Sequence, residues 1–353
     1  MTRIPLQRLH SQLLGGNPAA TPHDAVAHFG AMQAQDYLGA LWAVGVRTGG
    51  ATERGVELAI ERREIVRCWP MRGTLHFVAA ADVRWMLELL APRVLNRHRP
   101  RLQREFEIDA RVLRRCATLV ERALQGGKAL TRAEIYALLD KAKISTRNSR
   151  GLHILFALAH ERRIVFGARR GRQPTFVLLE EWVPASKSKT REEALGELAK
   201  RYLTGHGPAT VADFAWWSGL TAKEANEAFS LAGALDYEEA AKGTAHLLPP
   251  FDEYTVAYKD RSAVLDPALA KRVNAGGGMI NAIAVVDGMV VGSWKRELRA
   301  ASVEVSVTSF RDLTARETRA LDREAARYEQ FLERERPAGC SGSRVASPSE
   351  LSS

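Results

Sequence analysis

Residues 109–139 read DARVLRRCATLVERALQGGKALTRAEIYALL, and the fold is predicted outward from this stretch. Its first half carries apolar residues at spacings of three and four, the periodicity of one buried helix face. We therefore predict a helix over residues 110–124, whose buried face is formed by Val112, Leu113, Cys116, Leu119, Val120 and Ala123. Thr131 followed by Glu134 is a capping box, which predicts a second helix from there to Leu139.

A third helix and a hairpin complete this unit. Thr146 is a candidate cap for the third helix, and one buried stripe is predicted from Leu152, Leu155, Phe156 and Ala159. Ile164–Gly167 and Thr175–Leu179 alternate as strands on either side of Gly171 and Pro174. Three helices followed by a two-stranded hairpin are typical of a winged helix, a variant of the helix-turn-helix.

The pattern recurs on both sides of this unit. Towards the C-terminus we predict helices at Glu192–Tyr202, Val211–Trp217 and Thr221–Leu231, then a strand at Ala245–Leu248. Towards the N-terminus we predict helices at Pro5–Leu14, Pro22–Met32 and Thr52–Arg62, then a strand at Thr74–Ala79. One unit that occurs three times is a stronger indication of fold than any single unit.

After Pro249-Pro250 the pattern changes to strands. Asp287-Gly288 is a favoured hairpin turn between strands at Asn281–Val286 and Met289–Lys295. A third strand at Ala301–Val307 and a helix at Thr314–Leu332 follow. We predict an α+β fold with winged-helix units at residues 1–108, 109–185 and 186–248, a β-rich domain at 249–335 and a disordered tail at 336–353.

Composition excludes several classes of protein. Of the 353 residues, 46% are hydrophobic and 26% are charged, which is ordinary for a globular chain. There is no apolar run of the roughly 18 residues that a membrane span needs, and we expect no contact with a membrane. Neither a secretory signal at the N-terminus nor an even set of cysteines is present, which predicts a cytoplasmic protein.

Charge indicates a polyanionic partner. The formal net charge is +10, and 40 of the 51 basic residues are arginine. Arginine suits phosphate and guanine edges, although an arginine excess is also expected from a GC-rich genome. The segment Arg93–Arg115 concentrates basic residues, either as a helix along a DNA backbone or as a solvated helix.

Gln33 and Gln35 lie two residues apart within the otherwise apolar stretch Ala31–Trp42. Side chains at i and i+2 project to one side of an extended backbone but diverge on a regular helix. A joint role for the two glutamines therefore requires the helix to end before them. The alternative is a pair of glutamines at the edge of the core that satisfy backbone groups.

Three blocks of this chain, in this order, resemble the AlkZ/YcaQ-type bacterial DNA glycosylases: Met32–Gln35, Arg67–His76 and Leu248–Asp252. The resemblance extends to about Leu332. It implies three tandem winged helices and a β-rich domain, C-shaped around a DNA channel. It also implies removal of alkylated bases and unhooking of interstrand crosslinks. The family's Gln-x-Gln motif, here Gln33 and Gln35, then supplies the catalytic residues.

The implied chemistry is consistent with two carboxamides. An N7-alkylguanine is positively charged, so it leaves without protonation by a general acid. A carboxamide oxygen can hydrogen-bond a water near C1′ and stabilise positive charge on the sugar, but it cannot accept a full proton at neutral pH. Catalysis would therefore consist of positioning and electrostatics. We expect no metal or organic cofactor, since neither a phosphate-binding loop nor a metal-ligand cluster is present.

The lysines predict the products. Glycosylases that also cut the strand commonly use an amine to form a Schiff base with the sugar. The first lysine of the chain is Lys128, far from the glutamine motif in sequence. We therefore expect the base alone to be released.

Candidate DNA contacts lie in two places. Arg147, Asn148 and Arg150 lie where the third helix of the middle unit begins, and the start of a helix attracts phosphate. The alternative is a solvated helix face. Arg72 and His76 are further candidates from the second block. For His76 the first interpretation is a buried histidine paired with backbone on its strand, and the alternative is a contact to a DNA phosphate or to the water network near the glutamines.

Trp42 and Trp69 are predicted as core residues, because large aromatic side chains are mostly buried. The function predicted from the sequence is that of a monofunctional DNA glycosylase for cationic N7-alkylpurines, with interstrand crosslinks as a candidate second substrate. We expect a monomer that acts on double-stranded DNA at the nucleoid. The alternatives are a non-catalytic winged-helix DNA-binding protein, such as a transcriptional regulator, and a relative that keeps only the fold.

Overall fold

Residues 4–79 build three strands and their surrounding helices in the computed structural model, which describes residues 3–276, 279–298, 303–333 and 344–346. The elements are α1 (Ile4–Ser11), α2 (Pro22–Phe29), β1 (Met32–Gln33), α3 (Tyr37–Gly45), α4 (Glu53–Glu61), β2 (Ile65–Met71) and β3 (Thr74–Ala79). The strands form an antiparallel sheet in the order β1-β3-β2. The predicted helix 22–32 is three residues too long, because Gly30 takes a φ of 75° and ends it at Phe29.

The second unit repeats this order of elements after a long helix. The elements are α5 (Ala80–Phe106), α6 (Ala110–Leu124), β4 (Leu130–Thr131), α7 (Arg132–Lys141), α8 (Arg150–His160), β5 (Ile164–Phe166) and β6 (Thr175–Leu178). Its strand order, β4-β6-β5, matches that of the first unit. The helix predicted at 110–124 and the capping box of Thr131 with Glu134 are both confirmed.

Two details of the third helix were predicted wrongly. Thr146 does not cap α8, because its hydroxyl and its N–H both donate to the carboxylate of Asp140. Ser149 is the N-cap residue, in a left-handed conformation. Leu152 is 42% exposed, so it does not belong to the buried stripe that Leu155 and Ala159 form. The buried residues of α8 are Gly151, Ile154, Leu155, Ala157, Leu158, Ala159 and His160.

A third group of helices follows: α9 (Leu179–Trp182), α10 (Arg191–His206), α11 (Val211–Ser218) and α12 (Ala222–Ala232). Capping boxes begin the last three of them, at Thr190, Thr210 and Thr221. The strand predicted at Ala245–Leu248 (β7) is confirmed, but it pairs with Ile283–Val286 in the C-terminal sheet. It therefore does not form a wing for the third group.

The C-terminal part contains α13 (Glu253–Val256), a 3-10 turn (Pro267–Leu269), α14 (Ala270–Val273), β8 (Asn274–Gly276), β9 (Met279–Ile280), β10 (Ile283–Val286), β11 (Met289–Leu298), β12 (Val303–Ser309), α15 (Ala315–Phe331) and β13 (Arg344–Ala346). The sheet order is β13-β12-β11-β10-β7. Asp287 and Gly288 both have positive φ, as the predicted turn requires. The prediction of disorder does not hold for β13, and the rest of the predicted tail from residue 336 lies outside the described residues.

Shared apolar cores join these parts. Trp42 and Trp69 are 1% and 7% exposed, which confirms both as core residues. The indole of Trp42 donates to the carbonyl of Leu247 at 2.6 Å and packs 5.0 Å from the ring of Tyr328 on α15. The first unit and the C-terminal sheet are therefore held in one core.

A buried ion pair fastens the same junction. Arg47, just beyond α3, donates from both terminal nitrogens to Asp252, at 2.8 and 2.7 Å, and neither side chain has any exposed surface. Its remaining donors reach the carbonyls of Ala43 and Gln12 and the side chain of Gln12. Because every charge here is paired, the segment around Asp252 is fixed against the first unit.

Candidate active site

Gln33 lies in the edge strand β1, and Gln35 lies two residues beyond the end of that strand. The turn at Gly30 ends α2, and β1 then pairs with β3, so that Gln33 lies opposite His76. The N–H of Ala34 donates to the carbonyl of Leu75 at 2.7 Å, and α3 begins two residues after Gln35. The helix therefore ends before the motif, as a joint role for the two glutamines requires.

Arg72 holds the side chain of Gln33. Its Nη2 donates to Oε1 of Gln33 at 3.3 Å and lies 3.4 Å from Nε2 of His76. Arg72 and Gly73 both have positive φ, 56° and 78°, and form the tight turn between β2 and β3. Burial lowers the pKa of Arg72. The turn thus aims this guanidinium back at the motif.

His76 lies behind Gln33 with no exposed surface. Its Nδ1 lies 3.1 Å from the carbonyl of Thr74 and so carries the ring proton, which leaves Nε2 as an acceptor for Arg72. Burial, and then the charge of Arg72, lower the pKa of His76 to about 4, so the ring is neutral at pH 7. This is the buried, backbone-paired histidine, and a ring without exposed surface does not reach DNA directly.

Gln35 lies at the surface, where its carboxamide is fixed by backbone. Its Oε1 accepts the N–H of Leu75 at 3.2 Å. Behind it, Arg67 donates to the carbonyl of Ala34 at 3.0 and 2.7 Å. Each carboxamide oxygen of the motif therefore accepts one hydrogen bond from the protein and keeps a second lone pair.

A buried carboxylate that the sequence did not predict contacts the motif from the other side. Oε1 of Glu253 accepts the backbone N–H of Gln33 at 2.6 Å. Its Oε2 lies 3.0 Å from the indole nitrogen of Trp217 and 3.1 Å from Nε2 of His206. Burial raises the pKa of Glu253, but the hydrogen bond and charge of His206 outweigh it, so the net pKa is lowered. The one sequence signal is its position directly after the block Leu248–Asp252.

The second unit reaches the edge of this site. Arg169, in the loop between β5 and β6, lies 3.5 Å from the carboxylate of Glu57 and 4.5 Å from the ring centre of Tyr37. Tyr37 is the second residue after Gln35. A basic loop of the second unit therefore borders the motif.

Arg147, Asn148 and Arg150 lie elsewhere. Arg147 and Asn148 are exposed where α8 begins. The guanidinium of Arg150 is occupied instead, because it donates to the carbonyls of Phe106, Glu107 and Ser145 at 2.7, 3.2 and 2.7 Å. It closes the C-terminal end of α5. Among the described residues, no hydrogen bond or ion pair connects these three side chains to Gln33 or Gln35.

Within the described ranges, no group of three or more histidine, cysteine, aspartate or glutamate side chains is placed to hold a metal ion. Among the helices that the structure describes, none combines the length and apolar character needed to cross a bilayer.

Comparisons with known proteins bear on the family and the fold of this chain. The family model described as "DNA glycosylase AlkZ-like" matches residues 26–331. A relative from Streptomyces sahachiroi, named "Interstrand DNA cross-link repair glycosylase", is 28% identical over an alignment 355 positions long, which covers 90% of this chain and 93% of that protein. The solved structure of the Streptomyces sahachiroi DNA glycosylase AlkZ superposes with a TM-score of 0.78 at 24% identity, over 98% of each chain.

Proposed function

The chain belongs to the AlkZ-like DNA glycosylase family, and on that premise we propose that it hydrolyses the N-glycosidic bond of cationic N7-alkylpurines with Gln33 and Gln35 as catalytic residues. The observation that carries the proposal is the placement of both carboxamides at one edge of the β1-β3-β2 sheet, with Gln33 in β1 and Gln35 two residues beyond its end. Their oxygens are held by Arg72 and by the N–H of Leu75. Two fixed dipoles at one surface suit a reaction that develops positive charge on a sugar.

The residues then have distinct tasks. The free lone pair of a carboxamide oxygen can accept a hydrogen bond from the attacking water and stabilise the oxocarbenium-like sugar. Neither glutamine can protonate a leaving group, so the base must carry its positive charge before it leaves. The substrate class therefore follows from the absence of a titratable group in the motif itself.

We further propose that the chain curves around duplex DNA as tandem winged helices. The shared order of helices and strands in the first two units, with equivalent strand orders, supports two winged helices. α10–α12 supply the helices of the third. The net charge of +10 favours a DNA backbone, and exposed Arg147 and Asn148 remain candidate contacts. A monomer that works at the nucleoid in the cytoplasm completes the proposal.

Interstrand crosslinks are a second proposed substrate. The name of the Streptomyces sahachiroi relative describes cross-link repair by that protein. A glycosylase that need not draw a flipped base into a closed pocket suits such bulky adducts. The exposure of Gln35 at the surface is consistent with this mode of access.

The test uses duplex DNA that contains N7-methylguanine. Wild-type protein is expected to release the base, whereas Gln33→Ala and Gln35→Ala lower the single-turnover rate constant roughly 100-fold or more with DNA affinity retained. Absence of release by wild type, combined with tight binding to one undamaged sequence, would instead support the regulator.

A further inference from the structure

We infer that Glu253 is a positioning residue, which fixes the backbone of Gln33 for the reaction proposed above. The inference rests on that proposed function for its kinetic consequences. Glu253 is 1% exposed and hydrogen-bonds the backbone N–H of Gln33, so it acts through Gln33 and does not touch the substrate.

The position of β1 leaves one side of the Gln33 backbone without a neighbouring strand. β1 is the edge strand of its sheet, and the N–H groups on the outer side of an edge strand have no partner within the sheet. The outer N–H of Gln33 is satisfied by Oε1 of Glu253 at 2.6 Å. A two-residue strand held on one side only would fray, and this contact supplies the missing side.

The carboxylate of Glu253 is itself held by hydrogen-bond donors. A buried carboxylate is tolerated only when donors surround it, and Glu253 has donors at both oxygens. Nδ1 of His206 lies 3.0 Å from the carbonyl of Tyr202, and its Nε2 lies 3.1 Å from Oε2 of Glu253. The indole of Trp217 donates to the same oxygen of Glu253. These contacts leave the carboxylate a single orientation.

The backbone of Glu253 is also held in place. Glu253 is the first residue of α13, and Asp252 caps that helix while it pairs with Arg47 in the core. The position of the carboxylate is therefore fixed by the junction between the first unit and the C-terminal part. Gln33 lies between two opposite charges, with Glu253 on its backbone and Arg72 on its side chain.

Three variants test the inference by single-turnover base release. Glu253→Gln keeps an acceptor for Gln33 but turns an amide towards two donors, and we expect the rate constant to fall about tenfold with DNA affinity within twofold. Glu253→Asp keeps the charge but moves the carboxylate away from Gln33 by one methylene, so its rate constant is expected to be no higher than that of Glu253→Gln. It also replaces Glu253→Gln in the test if that variant does not fold. Glu324→Gln is the matched control, because Glu324 is a partly buried glutamate, its side chain 14% exposed, that contacts His246 and Arg327 instead.

A double-mutant cycle separates positioning from a general effect on the fold. If Glu253 acts through Gln33, adding Glu253→Gln to Gln33→Ala slows base release by less than about threefold further. Effects that multiply would overturn the inference, as would a Glu253→Gln rate constant within twofold of wild type.

Hydrogen exchange keeps this test independent of the proposed function. In Glu253→Asp, the amide of Gln33 is expected to exchange at least tenfold faster, while that of Ala34 keeps its bond to Leu75 and changes less. Unchanged exchange at Gln33 overturns the inference even if the wild type is an active glycosylase. Faster exchange in a wild type without base release refutes the proposed function alone.

Discussion

Replacement of Asp252 by asparagine is expected to destabilise the protein far more than an equivalent change at the surface. The carboxylate of Asp252 and the guanidinium of Arg47 have no exposed surface and meet through two hydrogen bonds of 2.7 and 2.8 Å. The variant leaves a buried cation without a counter-charge, which costs about 3–5 kcal/mol. For a chain of 353 residues that corresponds to a decrease in Tm of roughly 4–7 °C.

The control is an exposed pair with the same chemistry. Arg54 and Glu61 meet at 2.6 and 3.0 Å, but their side chains are 52% and 41% exposed. Glu61→Gln is therefore expected to cost at most about 1 kcal/mol. The assay is urea unfolding at pH 7, with calorimetry for Tm. An Asp252→Asn variant that loses no more stability than Glu61→Gln would refute the reasoning that burial decides the strength of this contact.

The remaining predictions concern His160, Arg72, Arg147 and the products of the reaction. Burial lowers the pKa of His160 to about 4, against an ordinary value of 6.5, so its contribution to stability is complete above pH 6.5 and is lost as the pH falls to 4. His160→Phe should therefore reduce the fall in unfolding free energy over that range by about 3 kcal/mol in pH-dependent urea titrations, and an unchanged slope would contradict this. Arg72→Lys is expected to lower the rate constant of base release about tenfold with unchanged DNA affinity, because Arg72 holds the side chain of Gln33. Arg147→Ala is instead expected to weaken binding to all duplexes and to reduce the salt dependence of the DNA-binding constant by about 1 in its log–log slope. Loss of affinity in Arg72→Lys would assign that residue to DNA binding. Gel analysis should find intact abasic strands until base or heat is added, since the chain has no lysine before Lys128, and scission at the rate of base release would contradict a monofunctional enzyme.

Local rules predicted the elements whose determinants lie close together in sequence. The capping boxes at Thr131 and Thr221 and the turn at Asp287-Gly288 are all present, because each is specified by two to four neighbouring residues. α3 was missed for the opposite reason. Seven of its nine residues are buried, so it has no polar face and no amphipathic period to detect.

The candidate site was half predictable. The two glutamines stood out as polar residues in an apolar stretch, and the resemblance gave them a role. Glu253 did not, because 220 positions separate it from Gln33 and only the packed junction of the first unit with the C-terminal part brings them together. The sheet that β7 joins could not be predicted for the same reason, since the sequence of a strand alone does not determine the strand with which it pairs.

The central claim is that two carboxamides release a base that is already positively charged, without a proton donor. The most direct test compares single-turnover release of N7-methylguanine with release of hypoxanthine, a neutral purine lesion, from otherwise identical duplexes at pH 7. We expect N7-methylguanine to be released by the protein and hypoxanthine to be released no faster than without it. Hypoxanthine released within tenfold of the rate for N7-methylguanine would contradict it, because a neutral purine needs an acid that Gln33 and Gln35 cannot supply.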